Sequence, residues 1–357
     1  LKVTRFLDTN LESTRGKVIR ESLENKIIGQ PEAIDALVST SEKFHSQLFD
    51  NSRPIASLLF LGPTGTGKTR TVEAYCEALF SNANACIKID CGEYQLDHEI
   101  TKLVGSPPGY LGHSATAPRF NTEKVREHWT EQYPLTVILF DEIEKASPDL
   151  QNILLGILDK GVITTGRNER VDLTKSIVVM TSNEGSAKMN QALEGGMGFG
   201  GMTGANTHEI NSIGLAAVRH KFSPEFVNRL DKIVTFNSLS KANITKVLFT
   251  EIHRLQDTIF QKTFAAPLLR ISNKAKEALV AEGFDPKYNA RNIRRVLEHN
   301  IQEPLARAIA SEQLKHSETI FVDINKSGAY TFGVVDDPEN SKKAIACPNP
   351  KIERGMN

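Results

Sequence analysis

The short apolar run Ser57-Leu58-Leu59-Phe60-Leu61 leads straight into Gly62-Pro63-Thr64-Gly65-Thr66-Gly67-Lys68-Thr69. No other feature of the chain constrains its fold as tightly. An apolar run of this length, bounded by Pro54 and Gly62, reads as a strand buried on both faces. The octapeptide matches G-x-x-x-x-G-K-[ST] in full. Its glycines let consecutive backbone N–H groups point into one concavity, and the helix N-terminus that follows suits an anion, so the segment is built to cradle a polyphosphate. Lys68 is then placed to reach the β- and γ-phosphates, and Thr69 to offer its hydroxyl to Mg²⁺.

Further strands follow: Ile87-Lys88-Ile89-Asp90, Val137-Ile138-Leu139-Phe140, which again reads as buried, Ser176-Ile177-Val178-Val179-Met180 and Ile233-Val234-Thr235-Phe236. Helices over 70–80 and 150–158 lie between them, and strands separated by helices predict a parallel α/β sheet. Two helical stripes precede it, one of Val18, Ile19, Leu23, Ile27 and Ile28, the other of Ile34, Leu37 and Val38, with Pro31 suited to a first helical turn. Residues 105–120, with Gly105-Ser106-Pro107-Pro108-Gly109, read as a loop, and the composition changes over 185–210, where the glycine-rich run Gly195-Gly196-Met197-Gly198-Phe199-Gly200-Gly201 reads as a mobile loop. Beyond about 238 the pattern turns helical over 241–263, 272–283 and 290–314. A hairpin of Thr319–Ile324 and Tyr330–Val335 closes the fold. At 357 residues the chain suits about two domains. The expected division is a large α/β domain with a helical lead-in over 1–238, a small domain over 239–337 and a polar tail over 338–357.

A Mg²⁺ ion needs hard oxygen ligands. Asp141, at the tip of the strand ending in Phe140, supplies a carboxylate for it, and Glu142 beside it is placed to orient and polarise an attacking water. Asn183 ends the fourth strand and reads equally well as a helix cap. Arg229 and Arg291 taken alone read as surface ion-pairing residues.

Lys plus Arg and Asp plus Glu both number 43, so the formal net charge is zero. That weighs against a broad basic face for nucleic acid. No apolar run approaches the length of a membrane span. Four cysteines without a C-x-x-C pair read as reduced thiols of a cytoplasmic protein, and no His/Cys cluster has zinc spacing. The first residue is Leu1, so the chain reads either as an excised module or as a stand-alone relative.

Taken together, Ile28-Gly29-Gln30, the phosphate loop, Gly105-Ser106-Pro107-Pro108-Gly109-Tyr110-Leu111-Gly112, Asp141-Glu142-Ile143-Glu144-Lys145-Ala146, Met180-Thr181-Ser182-Asn183, Pro224-Glu225-Phe226-Val227-Asn228-Arg229 and Ala290-Arg291 resemble the AAA+ ATPases of the Clp family, above all the second ATPase module of ClpB-type disaggregases. The resemblance implies an AAA+ P-loop ATPase with a five-stranded parallel sheet and a smaller, mainly helical lid domain ending in a β-hairpin. It implies ATP with Mg²⁺ as cofactor, and a homo-oligomeric ring, a hexamer in the family, that threads unfolded or misfolded polypeptides. It makes Asn183 the first sensor, Arg229 the arginine finger entering the neighbouring subunit's site, and Arg291 the second sensor. Ile27 and Ile28 would line the adenine. Gly109, Tyr110 and Leu111 would form the pore loop that grips substrate, and 161–171 a second pore loop.

The chain departs from the family pattern in three ways. It has one module and neither the adaptor domain nor the coiled-coil insertion of ClpB. Asn289 stands where the family has Gly, at a turn that Asn tolerates. Met197-Gly198-Phe199 falls where protease-partnered relatives carry a tripeptide that docks on the ClpP peptidase. The alternatives are therefore the unfolding subunit of a Clp-type protease, a nucleotide-switched scaffold with little hydrolysis, and a nucleic-acid-handling relative.

Overall fold

The computed structural model describes residues 6, 8, 9, 11–105, 118–195, 207–262, 267–285, 289–315 and 318–335. The chain divides into two compact units, 1–238 and 239–357.

In the first unit the strands are β1 (Ala56–Leu61), β2 (Cys86–Asp90), β3 (Thr136–Asp141), β4 (Val162–Thr164), β5 (Arg170–Asp172), β6 (Ser176–Ser182) and β7 (Lys232–Thr235). Five of them form one sheet in the order β2-β3-β6-β1-β7, every pair parallel. β1, β3 and β6 are buried along nearly their whole length, as the unbroken apolar runs require of a sheet covered on both faces. Alternate residues point to opposite faces. Leu59, Leu61, Ile138, Phe140, Val178 and Met180 join one core with Leu150, Leu154 and Ile157 of the helix Pro148–Lys160. Leu58, Phe60, Val137, Leu139, Ile177 and Val179 join the other with α1 (Thr14–Glu24), α2 (Pro31–His45) and α3 (Lys68–Phe80).

Three readings of this unit need correction. Val18 is 63% exposed. Only Ile19, Leu23 and Ile27 of its stripe are buried: Ile19 and Leu23 share a helix face at i and i+4, Ile27 follows the helix's end, and Val18 lies about 100° off that face. Helix α3 begins at Lys68 instead of Arg70. Residues 162–172 hold a short antiparallel hairpin, β4 with β5, whose two strands the sequence reading did not include.

The second unit holds the helices Lys241–Lys262, Asn273–Gly283, Arg291–Leu297 and Glu303–Ala310. β8 (Leu268–Ile271) pairs parallel with β9 (Thr319–Ile324), and β9 pairs antiparallel with β10 (Tyr330–Val335). The hairpin has its expected bounds, and β8 is an added strand of only four residues. The expected single helix over 290–314 is broken by a π turn, Glu298–Gln302. Pro304 follows that turn and has no N–H for the carbonyl one turn back, so the wider turn carries the chain past the gap. Asn289 adopts φ +49°, and its Oδ1 accepts from the Leu239 N–H at 2.9 Å. The turn therefore survives without glycine. The tail over 338–357 lies outside the described residues.

Candidate active site

β1, β6 and β3 are neighbours in the sheet, so their carboxyl ends lie side by side. The phosphate loop leaves β1, Asn183 follows β6, and Asp141-Glu142 closes β3. Residues 41 to 119 positions apart in sequence meet there for that topological reason, the usual placing of ligands in open α/β sheets.

The phosphate loop has the backbone its glycines permit. Gly67 has φ +98° and open space where a Cβ would be. Gly62 has φ +152°, and a Cβ there would stand 2.4 Å from the Phe236 carbonyl oxygen, so any side chain would push β1 off the segment after β7. Thr66 Oγ1 donates to Pro63 O at 2.8 Å and closes the loop on itself. Gln30 supports it from outside: its Nε2 donates to Thr66 O at 3.2 Å and Asn237 O at 2.9 Å, and its Oε1 accepts from the Asn237 N–H at 3.1 Å. Gln30 is buried, and its supporting role was not legible in the sequence. Ile27 is buried in the core beside α1 and Ile28 is half-buried.

Lys68 is 7% exposed. Its Nζ donates to Gly62 O at 2.5 Å, Pro63 O at 2.9 Å and Asn183 Oδ1 at 2.9 Å. Burial lowers its pKa to about 8, opposed by the negative charges of Glu144, Asp141 and Glu142. Thr69 Oγ1 donates to both Asp141 oxygens, at 3.1 and 3.2 Å. Thr181 Oγ1 also donates to Asp141, and Lys88 Nζ lies 3.6 Å from it. Thr181 and Lys88 were not among the expected site residues. This donor set fits Mg²⁺, since a carboxylate and a hydroxyl offer hard oxygens and leave room for water and phosphate ligands.

Glu142 has φ +56°, its N–H bonded to Thr181 Oγ1 at 3.0 Å. Its carboxylate pairs with Lys145 and accepts from Asn183 Nδ2 at 3.4 Å. A left-handed non-glycine residue is a strained position of the kind that clusters at active sites. Asn183 is not a simple cap, because its amide oxygen faces Lys68.

Arg229 lies elsewhere. Its carbonyl accepts from Ser57 Oγ at 2.8 Å, and Asp231 N–H donates to Ser57 O at 2.9 Å. Ser57 is near the amino end of β1, and nearly the strand's length, roughly 17 Å at about 3.3 Å per residue, separates it from Gly62 at the start of the phosphate loop. The guanidinium pairs with Asp159. Arg291 opens its helix in the second unit. Gly109, Tyr110 and Leu111, and Met197-Gly198-Phe199, lie outside the described residues.

A phosphate loop on β1, an Asp-Glu pair on β3 and the polar Asn183 between them define a P-loop nucleotide-binding module. The AAA domain family (Cdc48 subfamily) matches residues 53–233, and the C-terminal D2-small domain of ClpB matches 239–322. The chain belongs to the Clp branch of the AAA+ ATPases. Among its relatives, the chaperone ClpB 1 of Parasynechococcus marenigrum is 36% identical over 323 residues, which is 90% of this chain and 35% of that protein. The ATP-binding subunit ClpC of the Clp protease from Staphylococcus saprophyticus is 35% identical over 343 residues, 96% of this chain and 40% of that protein. The chain thus spans little more than a third of such relatives. Hsp104 of S. cerevisiae, solved in complex with casein, superposes with a TM-score of 0.77 at 30% identity, over 91% of this chain and 53% of that one. A second Hsp104 structure, with ATPγS and labelled casein, gives 0.76 at 29% identity, over 93% and 54%.

Proposed function

We propose that the protein is an ATP-dependent unfoldase of the cytoplasm, a ring of six like subunits that hydrolyses Mg-ATP at its subunit interfaces and threads polypeptides through a central pore. The observation that carries this reading is the meeting of Lys68, Thr69, Asp141, Glu142 and Asn183 at the carboxyl ends of three adjacent strands. The likeness to Hsp104 bound to casein supports a polypeptide substrate.

Gly62 to Thr69 would hold the phosphates, Thr69 and Asp141 the Mg²⁺, and Ile27 and Ile28 the adenine side. The Mg-nucleotide brings the phosphoanhydride bond whose cleavage releases the free energy for work. Glu142 orients a water and takes its proton once its carboxylate leaves Lys145. Lys68 and Asn183 present a cation and an amide to the γ-phosphate. Arg229 stands too far from its own phosphate loop to serve it, which favours service to a neighbour's site and ties hydrolysis to assembly. Arg291 would report nucleotide state from the lid. Tyr110, between Gly109 and Leu111, would grip substrate by aromatic contact that needs no particular sequence.

The deciding experiment is unfolding of a fluorescent reporter protein with ATP, alongside light scattering of the same sample with a slowly hydrolysed ATP analogue. ATP-dependent loss of fluorescence from a ring-sized particle is expected. A monomer that hydrolyses ATP without unfolding the reporter would overturn the reading. The likeness to ClpC favours a second reading, the unfolding subunit of a Clp-type protease docking through Met197-Gly198-Phe199. Co-sedimentation with a ClpP-type peptidase tests it.

A further inference from the structure

Asn183 is held from two sides by opposite charge. Its main-chain N–H and its Nδ2 both donate to a single oxygen, Glu144 Oε1, at 3.1 and 3.2 Å. Its Oδ1 accepts from the Lys68 ammonium at 2.9 Å and from Thr64 Oγ1 at 3.4 Å. Turning the amide over would set its NH₂ against an ammonium and its oxygen against carboxylates, so this charge pattern admits one orientation.

Two carboxylates face the NH₂ end, and they are not equivalent. Glu142 reaches it at 3.4 Å and is also bound by Lys145. Glu144 grips both the backbone and the side chain of Asn183. The other oxygen of Glu144, Oε2, is buried without a hydrogen-bond partner among the described residues. An unpaired buried carboxylate oxygen costs stability. Glu144 is therefore poorly explained as a fold-stabilising residue and well explained as a clamp on Asn183.

We propose that Glu144 is a positioning residue: it fixes the Asn183 amide so that the phosphate loop distinguishes a nucleoside triphosphate from a diphosphate. This rests on Asn183 acting as the γ-phosphate sensor. Glu142 can then swing to its water without releasing Asn183, because Glu144 keeps the grip. The signal lies in the spacing Asp141-Glu142-Ile143-Glu144: the short 3₁₀ turn Ile143–Lys145 that follows Glu142 brings Glu144 back beneath β6.

The test measures the affinities of MgATPγS and MgADP by fluorescent-nucleotide titration for the wild-type chain, Glu144→Ala, Glu144→Gln, Asn183→Ala and the double alanine variant. Glu144→Ala should lose roughly 10- to 100-fold of the triphosphate preference, the scale of hydrogen bonds to a charged group, with MgADP affinity nearly unchanged. The double variant should be no worse than Asn183→Ala alone. Glu144→Gln keeps an acceptor oxygen for both N–H groups and should restore most of the preference. Retained MgADP binding reports that each variant is folded. Should Glu144→Ala not fold, Glu144→Asp, which keeps the charge and withdraws the oxygen by one methylene, should lose the preference in its place. A normal preference in the Glu144 variants beside a lost one in Asn183→Ala overturns the clamp. A normal preference in Asn183→Ala overturns instead the sensor reading beneath it.

Discussion

The guanidinium of Arg229 lies 2.7 Å from the carboxylate of Asp159, near the end of the helix that runs into the β4–β5 hairpin. The two side chains are 41% and 39% exposed. Ion pairs this exposed contribute at most about 1 kcal/mol, so Arg229 can exchange its partner for a phosphate at little cost. Arg229→Ala should bind nucleotide normally and lose turnover by roughly 10³-fold or more, as fingers do in GTPases. In rings mixed with wild-type subunits the defect should appear in the neighbour's site. Asp159→Ala should change stability by less than about 1 kcal/mol in a denaturant titration. Full turnover in Arg229→Ala would remove the finger.

Glu142→Gln should bind Mg-ATP with near wild-type affinity and lose roughly 10²- to 10⁴-fold in turnover, the span of general-base catalysis. The amide is isosteric but cannot take a proton. A phosphate-release assay beside a nucleotide titration checks it, and wild-type turnover in this variant would rule Glu142 out as the base.

The buried Lys68 titrates near pH 8 against an ordinary 10.5. At pH 7 it is an ammonium, and by pH 9.5 it is largely neutral. Nucleotide affinity should therefore fall as pH rises through 8, and Lys68→Ala should bind weakly with a flat profile. Stability moves the other way. Between 8 and 10.5 the unfolded chain binds more protons than the folded one, so the cost of burying this charge is full below 8 and relieved as pH rises. Titrations of a fluorescent nucleotide from pH 7 to 9.5, with thermal melts of the nucleotide-free protein, would reveal both signs.

Gln30→Ala should cost roughly 1–3 kcal/mol, because it leaves the Thr66 and Asn237 backbone groups unpaired in a buried place. Nucleotide affinity should fall with it, since the loop loses its outer brace. A melt within about half a kilocalorie of wild type would contradict the bracing role.

Tyr110→Ala should hydrolyse ATP at the wild-type rate and fail to unfold the fluorescent reporter. Retained unfolding would assign the grip to another residue.

The sequence by itself determined the parallel sheet and both ends of the chemistry. Short unbroken apolar runs bounded by Gly or Pro read as strands buried on both faces, and the phosphate loop and Asp141-Glu142 are local motifs whose meaning lies in consecutive residues. Tertiary structure alone decided what depends on adjacency across the sheet. The order β3-β6-β1 turns Asn183 from a candidate cap into a partner of Lys68, makes Glu144 its clamp and Gln30 a brace, and sets Arg229 a strand's length from its own phosphate loop. Such contacts are made through space between segments far apart in the chain, so no local spacing encodes them.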